Sequence, residues 1–282
     1  MRISRETVIM GLIGYPLSHS LSPLMQNQAL TYLNFDGIYL PLPADDLAAG
    51  MAAVRTFGWR GVNVTIPYKE AVIPYLDDLS DEAAACGAVN LILNDRGVLT
   101  GYNTDGLGFL DALASAGCGA AGLRCTILGA GGAARAVAYS LARAGAESIT
   151  VVNRSLDRAV GITKMLEKKT HANSQAVSWE EAARNVWRAT DLLINATPLG
   201  MYPEIDTCPD IDLNSLPWDC MVADLVYNPV QTRLLQEAEQ RGLTTLPGTE
   251  MLVYQGARSF EYLTGQKPPV TIMMDVVNDY LR

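Results

Sequence analysis

Residues 123–135 read Leu-Arg-Cys-Thr-Ile-Leu-Gly-Ala-Gly-Gly-Ala-Ala-Arg. The apolar run Cys125–Leu128 predicts a strand, and the small residues from Ala133 to Ala144 predict a helix directly after it. Between them, Gly129-Ala130-Gly131-Gly132-Ala133-Ala134 fits G-x-G-x-x-G/A. Each position has a physical task. Gly129 permits a tight turn, Gly131 lets the backbone approach a pyrophosphate, and Ala134 lets helix and strand pack closely. The helix start adds free N–H groups and the positive end of its dipole. A glycine string without such flanks is usually only a turn; with both flanks in place it predicts a dinucleotide-binding domain.

The next strand, Ser148–Val152, ends at Asn153-Arg154-Ser155, 24 residues beyond Gly129, with Arg158 one helical turn onward. An NAD site would place Asp or Glu at that tip to accept hydrogen bonds from the ribose 2′-hydroxyl. No acid stands there, and two guanidinium groups can clamp a 2′-phosphate with charge-assisted bonds. Asp157 is accounted for by the positive end of the helix that begins beside it. The residues therefore point to NADP.

Outward from this motif, strands and helices alternate. On the N-terminal side, strands are predicted at Thr7–Gly14, Ile38–Pro41 and Gly61–Ile66, and a hairpin joins Val89–Leu93 to Val98–Tyr102 through Asn94-Asp95-Arg96-Gly97. Helices are predicted from Ser22 (as N-cap, with Pro23 next) to Leu33, at Asp45–Phe57, and in short stretches at Lys69–Leu76 and Asp81–Cys86. On the C-terminal side come helices at Gly106–Ala116, Leu156–Lys168, Gln231–Arg241, Met251–Leu263 and Thr271–Leu281. Strands are predicted there at Leu192–Ala196, Met221–Leu225 and Thr244–Leu246. This alternation predicts an α/β protein with mainly parallel sheets, linkers near Tyr102–Gly106 and Leu246–Gly248, and no internal repeat.

Composition agrees with two folded domains. The 282 residues, at roughly 150 per domain, correspond to about two. With 49% hydrophobic and 18% charged residues the chain is not a disordered one. Apolar runs are too short to cross a bilayer, and Met1-Arg2-Ile3-Ser4-Arg5-Glu6 is not followed by a leader's apolar core, so a soluble cytoplasmic protein is expected. A net charge of −9 disfavours nucleic-acid and membrane partners but not a small anion met by a local cluster of donors. Five cysteines without a C-x-x-C pattern predict free thiols, and two distant histidines predict no metal centre.

The N-terminal third carries polar residues at strand ends: His19-Ser20-Leu21-Ser22-Pro23, Asn63-Val64-Thr65-Ile66-Pro67-Tyr68-Lys69, Ala88-Val89-Asn90 and Asn103-Thr104-Asp105-Gly106. Singly, each has a dull explanation as a cap, a turn former or a surface charge. Together they could converge beyond the carboxyl ends of the strands, where open sheets bind ligands.

With these motifs the chain resembles the shikimate dehydrogenases. The resemblance runs in order through His19–Pro23, Asn63–Lys69, Gly87–Asn90, Asn103–Gly106, Gly129–Arg135 and Asn153–Ser155. It continues through Asn195–Met201, Asp224–Pro229 and Met251–Ala257. It implies reversible reduction of 3-dehydroshikimate to shikimate with NADPH, a step of aromatic amino acid biosynthesis, by a monomer or homodimer. The implied fold is an N-terminal substrate domain (1–105, completed by helices 249–282) and a Rossmann-type NADP domain (106–248), with a cleft between them. Lys69 and Asp105 would be the catalytic pair, with the proton assigned to neither alone. Ser20, Ser22, Thr65, Asn90, Tyr227 and Gln255 would bind substrate. Gly129, Ala130, Gly131, Gly132, Ala133, Asn153, Arg154, Ser155 and Arg158 would bind NADP, with Leu225 and Gly248 near the nicotinamide and Asp81 also on the cofactor. Thr249-Glu250 stands where the family has smaller residues, and Gly14-Tyr15-Pro16 and Met25-Gln26-Asn27 are similar to a quinate/shikimate branch that includes NAD users. Two readings stay open beside the first: a quinate/shikimate dehydrogenase using NAD or NADP, and a non-catalytic dinucleotide-binding regulator. Lys69, Asp105 and the two serines argue against the regulator, because a sensor needs no proton-transfer pair.

Overall fold

The computed structural model describes residues 3–281; Met1 and Arg2, where the expectation of no leader begins, and Arg282, the last residue of the expected first domain, lie outside them. The chain forms two compact units. One holds the chain up to Gly108 together with Val253–Tyr280, and the other holds Phe109–Leu252.

The first unit contains β1 (Val8–Gly14), α1 (Ser22–Tyr32), β2 (Gly37–Pro43), α2 (Leu47–Thr56), β3 (Gly61–Val64), β4 (Asp78–Leu79), α3 (Asp81–Cys86), β5 (Leu91–Asp95) and β6 (Val98–Tyr102). Its sheet has the order β2-β1-β3-β5-β6-β4. β1 pairs in parallel with β2 and β3, but β5 runs antiparallel to both β3 and β6. The sheet is therefore mixed. β3 is buried at all four positions, and Val62, Val64, Ile92 and Leu99 of neighbouring strands meet Met51 and Val54 of α2 in one apolar cluster. Burying such side chains stabilises by about 1.5–3 kcal/mol each, which fixes the register of the strands that carry the site.

The second unit continues with α4 (Asp105–Ser115), whose first turn still belongs to the first, then β7 (Arg124–Leu128), α5 (Gly132–Arg143), β8 (Ser148–Val152) and α6 (Leu156–Thr170). After these come β9 (Ser174–Val177), α7 (Trp179–Asn185), β10 (Leu192–Asn195), β11 (Met221–Asp224), α8 (Arg233–Gln240) and β12 (Thr244–Leu246). α9 (Gly248–Thr264) leads back into the first unit, followed by α10 (Val270–Leu281). Its sheet is parallel throughout, in the order β12-β11-β10-β7-β8-β9. Read from β9, this is the 3-2-1-4-5-6 order of a Rossmann sheet, and the strand order reverses between β7 and β10.

Several local expectations are corrected. Lys69–Leu76 is not a helix: only Ile73–Tyr75 makes a 3-10 turn, because Pro74 lacks the backbone donor a helix through this stretch would need. Ser22 is not the N-cap of α1; Leu21 holds that place without a side-chain bond, and Ser22 and Pro23 are already helical. The polypeptide passes between the units inside α4 and α9 rather than through loops at Tyr102–Gly106 and Leu246–Gly248. β9 and α7 were not anticipated. Ser-Gln-Ala-Val buries only Val177, so this edge strand lacks the alternation that announces a strand.

Candidate active site

The polar segments of the first unit meet at one edge of its sheet for a reason visible in the pairing. β1, β3 and β6 end on that edge, and β5, running the other way, begins there, with Leu91 opposite both Asn63 and Tyr102. The residues just past β3 and β6 and just before β5 are thereby neighbours. Asn90 is fixed by its backbone on both sides: Val64 N–H donates to its carbonyl at 2.9 Å, and its own N–H donates to the Tyr102 carbonyl at 3.0 Å. Val89 N–H donates to the Lys69 carbonyl at 2.7 Å, which draws the loop after β3 against the start of β5.

On this frame Lys69 Nζ lies 2.5 Å from Asp105 Oδ2, with side-chain exposures of 22% and 5%. The other carboxylate oxygen accepts from Asn90 Nδ2 at 2.8 Å. Asp105 opens α4, where the helix's positive end favours a carboxylate, and its N–H is received by Asn103 Oδ1 at 3.0 Å. A buried carboxylate with a charged partner and two further polar supports is a stable arrangement, and the ammonium keeps some solvent-facing surface from which to act.

Around this pair, Gln255 Oε1 lies 3.4 Å from Asn90 Nδ2, so α9 brings Gln255 to the same place. Thr65 follows β3, its N–H bonded to the Ile13 carbonyl at 2.9 Å and its methyl packed on Gly14. Ser20 Oγ accepts the Ser22 N–H at 3.4 Å, which turns the two serines together at the start of α1. α1 is tied to α9 where Gln26 Nε2 donates to the Gly256 carbonyl at 2.9 Å. Tyr227 belongs to the second unit, where burial pushes its hydroxyl pKa up. Asp81 lies in the first unit, exposed at the first turn of α3, which Ser80 caps. A carboxylate there satisfies the helix dipole with no further partner required.

Gly108 makes this geometry possible. A Cβ there would overlap the backbone N of Gln255 and come within 2.6 Å of its Cα, so α4 and α9 touch backbone to backbone. Gly108→Ala is expected to push the helices apart, cost about 1–3 kcal/mol and weaken substrate kcat/KM more than cofactor binding. Thermal unfolding with steady-state kinetics checks it; wild-type values for both would remove the constraint.

In the second unit, Gly129 follows β7 at φ +101°, a conformation open to glycine, with its Cβ position 2.9 Å from the Ala196 carbonyl. Gly131 is the N-cap of α5 without a side-chain bond, and a Cβ there would meet nothing within 4 Å. The first-turn N–H groups of α5, including those of Gly132 and Ala133, have no partner within the helix and stand just past β7, where the strand order of the sheet reverses. Ala134 is fully buried against the sheet, and the Nε of Arg135 beside it is buried without a hydrogen-bond partner. Asn153 Nδ2 donates to the Ser155 carbonyl at 2.9 Å, shaping the turn after β8. Arg154 and Arg158 are exposed, and no acidic side chain pairs with either among the described residues. This donor set fits an anionic dinucleotide carrying a 2′-phosphate: a helix start for the pyrophosphate and two uncommitted guanidinium groups for the extra charge. Gly248 stands against Leu225 and Val226, since a Cβ on it would overlap the Val226 carbonyl.

Sequence reasoning missed the groups that hold these loops. Asp224, at the end of β11, is 1% exposed and accepts from Asn195 Nδ2 at 2.9 Å, Val226 N–H at 2.9 Å and Thr232 Oγ1 at 2.7 Å. It clasps the Asn195 and Leu225–Tyr227 segments together. Burial nevertheless pushes its pKa up to about 6. The folded state therefore holds this proton more tightly than the unfolded chain, so the charge costs stability as pH rises from about 4 to 6, and the cost persists above that. Asp224→Asn, which stays neutral, is expected to be less stable than the native protein near pH 4 and to gain relative to it by about 2–3 kcal/mol by pH 7.5. Urea unfolding at the two pH values checks the sign; a pH-independent difference would contradict it.

Among the described residues no group of three or more His, Cys, Asp or Glu side chains could hold a metal ion, no helix is long and apolar enough to cross a membrane, and all five cysteines are free.

Comparison with known proteins places the chain in a family. Residues 12–92 match the family model described as the shikimate dehydrogenase substrate binding domain, residues 112–199 that of shikimate / quinate 5-dehydrogenase, and residues 248–277 that of the shikimate 5′-dehydrogenase C-terminal domain. A shikimate dehydrogenase (NADP(+)) of Methanopyrus kandleri is 44% identical over 285 residues, covering 99% of this chain and 98% of the relative. Two crystal structures superpose closely. Shikimate 5-dehydrogenase from Listeria monocytogenes, in complex with shikimate and NAD, has a TM-score of 0.92 at 37% identity over 100% of this chain and 99% of that one. Shikimate 5-dehydrogenase from Thermus thermophilus, in complex with NADP(H) and shikimate, has a TM-score of 0.85 at 37% identity over 96% of this chain and 99% of that one. With family models over most of its length and a relative 44% identical over nearly all of it, the chain belongs to the shikimate dehydrogenase family.

Proposed function

We propose that this protein catalyses the reversible NADPH-dependent reduction of 3-dehydroshikimate to shikimate. The observation that carries the reading is the Lys69–Asp105 pair at 2.5 Å, held by Asn90 in the unit that matches the substrate-binding domain model. When bound, NADPH supplies a hydride to the ketone carbon. Negative charge then builds on the carbonyl oxygen, where Lys69 Nζ stabilises it, and the Lys69–Asp105 pair delivers the proton. Asp105 keeps that ammonium in place through its 2.5 Å contact. Asn90, Thr65 and Gln255 orient the ring hydroxyls, while Ser20, Ser22 and Tyr227 donate to the carboxylate. In support, the Ser22 hydroxyl has no partner within the protein among the described residues. Gly129–Ala133 cradle the pyrophosphate, Arg154 and Arg158 take the 2′-phosphate beside Asn153 and Ser155, and Leu225 and Gly248 form the nicotinamide side. The substrate domain comprises residues 1–105 with 249–282, and the NADP domain residues 106–248. The enzyme works in the cytoplasm on small molecules, as a monomer or homodimer.

A second reading, a quinate/shikimate dehydrogenase using NAD, is favoured by the Listeria relative, which was crystallised with NAD. Absorbance at 340 nm with shikimate or quinate, each with NADP or NAD, separates the two. The expected preference is shikimate with NADP; a preference for quinate with NAD rejects the main reading.

A further inference from the structure

Behind the Lys69–Asp105 pair lies a chain of buried polar groups within the first unit. Tyr39 on β2 is 1% exposed, Asn63 on β3 is 6% exposed, and Ser259 on α9 is fully buried. Tyr39 OH donates to Asn63 Oδ1 at 2.8 Å, and Asn63 Nδ2 donates both to the Asn90 carbonyl at 2.9 Å and to Ser259 Oγ at 2.9 Å.

The direction of these bonds is forced. The Asn90 carbonyl can only accept, so the Asn63 amide must turn its NH2 toward it and its oxygen toward Tyr39. Burial pushes the Tyr39 hydroxyl pKa up, so it remains a donor. Both protons of Asn63 are then committed. Ser259, having accepted one of them, must give its own proton to the Gln255 carbonyl at 3.1 Å or to Thr104 Oγ1 at 3.2 Å. Thr104 closes the circuit: its N–H donates to Asn90 Oδ1 at 2.8 Å, which leaves Asn90 Nδ2 facing Asp105 Oδ1 and Thr104 Oγ1. Neither Tyr39 nor Ser259 touches Lys69 or Asp105 in this chain of bonds; Tyr39 acts through Asn63, and Ser259 through Asn63 and Thr104.

We propose that Tyr39 and Ser259 are positioning residues for the reaction. From the two ends of the Asn63 amide they fix Asn90, which holds one oxygen of Asp105 and leaves the other to Lys69. Without the Tyr39 hydroxyl, the Asn63 oxygen has no donor and the amide is free to turn. Without the Ser259 hydroxyl, one Asn63 proton and the link to α9 are lost. A buried polar network that is only partly satisfied is worse than none, so either loss loosens the whole circuit. The inference rests on the catalytic reading of Lys69 and Asp105.

The test uses the full-length protein with Tyr39→Phe, Ser259→Ala and the double variant, each changing only a hydroxyl. Steady-state rates with shikimate and NADP are recorded across pH, with thermal unfolding and NADPH affinity measured in parallel. Each single change is expected to lower kcat by about tenfold, because small misplacement of a catalytic group is costly. NADPH affinity should stay within about twofold, since the cofactor residues lie elsewhere. The pH dependence of kcat should change, since Asn90 no longer holds its place beside the pair. Because both residues meet at the Asn63 amide, the losses of the two single variants should combine to less than their product in the double. A structural role alone would lower the unfolding temperature and leave kcat and the pH profile of the folded enzyme as they were. Unchanged kcat in both single variants, or losses that multiply in the double, overturns the inference. Lys69→Ala distinguishes the two levels. If it retains turnover, the catalytic reading fails and the relay with it; if it is inactive while Tyr39→Phe and Ser259→Ala are normal, the relay alone fails.

Discussion

Lys69→Ala is expected to lose turnover by a factor on the order of 10² or more while NADPH still binds with unchanged affinity. The ammonium is the charged donor the structure sets against Asp105, and a methyl group in its place can neither stabilise an alkoxide nor supply a proton. The variant also leaves the Asp105 carboxylate, 5% exposed, with Asn90 and the α4 dipole as its remaining support. Part of the loss will therefore appear as reduced stability, because a buried charge without its partner is penalised. Turnover of the folded fraction, normalised by an active-site titration with NADPH fluorescence, separates the two effects. The nucleotide-binding elements belong to the other unit, which is why its affinity serves as the internal control. Near-normal turnover would remove Lys69 from the chemistry.

Replacing both Arg154 and Arg158 by Ser should reduce kcat/KM for NADPH by about a hundredfold and leave that for NADH within a few-fold. Charge-assisted bonds to a phosphate are strong and the 2′-hydroxyl of NADH needs none of them. Both side chains are exposed and unpaired by acids among the described residues, so their loss disturbs no internal ion pair and the fold should be unaffected. An equal loss with both nucleotides would mean that the guanidinium groups serve the pyrophosphate instead. No loss with either would return them to ordinary surface charges.

Much of this was legible before any coordinates. The turn at Gly129–Ala133 declares itself because its neighbours in sequence are its neighbours in space: a strand, a tight turn and a helix start make a local signal. The hairpin at Asn94–Gly97 and the parallel second sheet were legible for the same reason. The helix expected at Lys69–Leu76 is interrupted by Pro74, and Leu21, not Ser22, holds the N-cap of α1. The antiparallel entry of β5 beside β3 was not written in either strand, since pairing direction depends on the path between them.

The sequence by itself determined the α/β class, the nucleotide turn and the motifs that mark the family, because those depend on local backbone preference and on residue type at short spacing. Only the tertiary structure decided that Lys69 and Asp105, 36 residues apart, are 2.5 Å apart, that Asn90 stands between Asp105 and Gln255, and that Tyr39, Asn63 and Ser259 support them from behind. Long-range contacts are set by how buried faces pack, and a polar residue committed to a buried partner looks in sequence like any other tyrosine or serine until its partner is known.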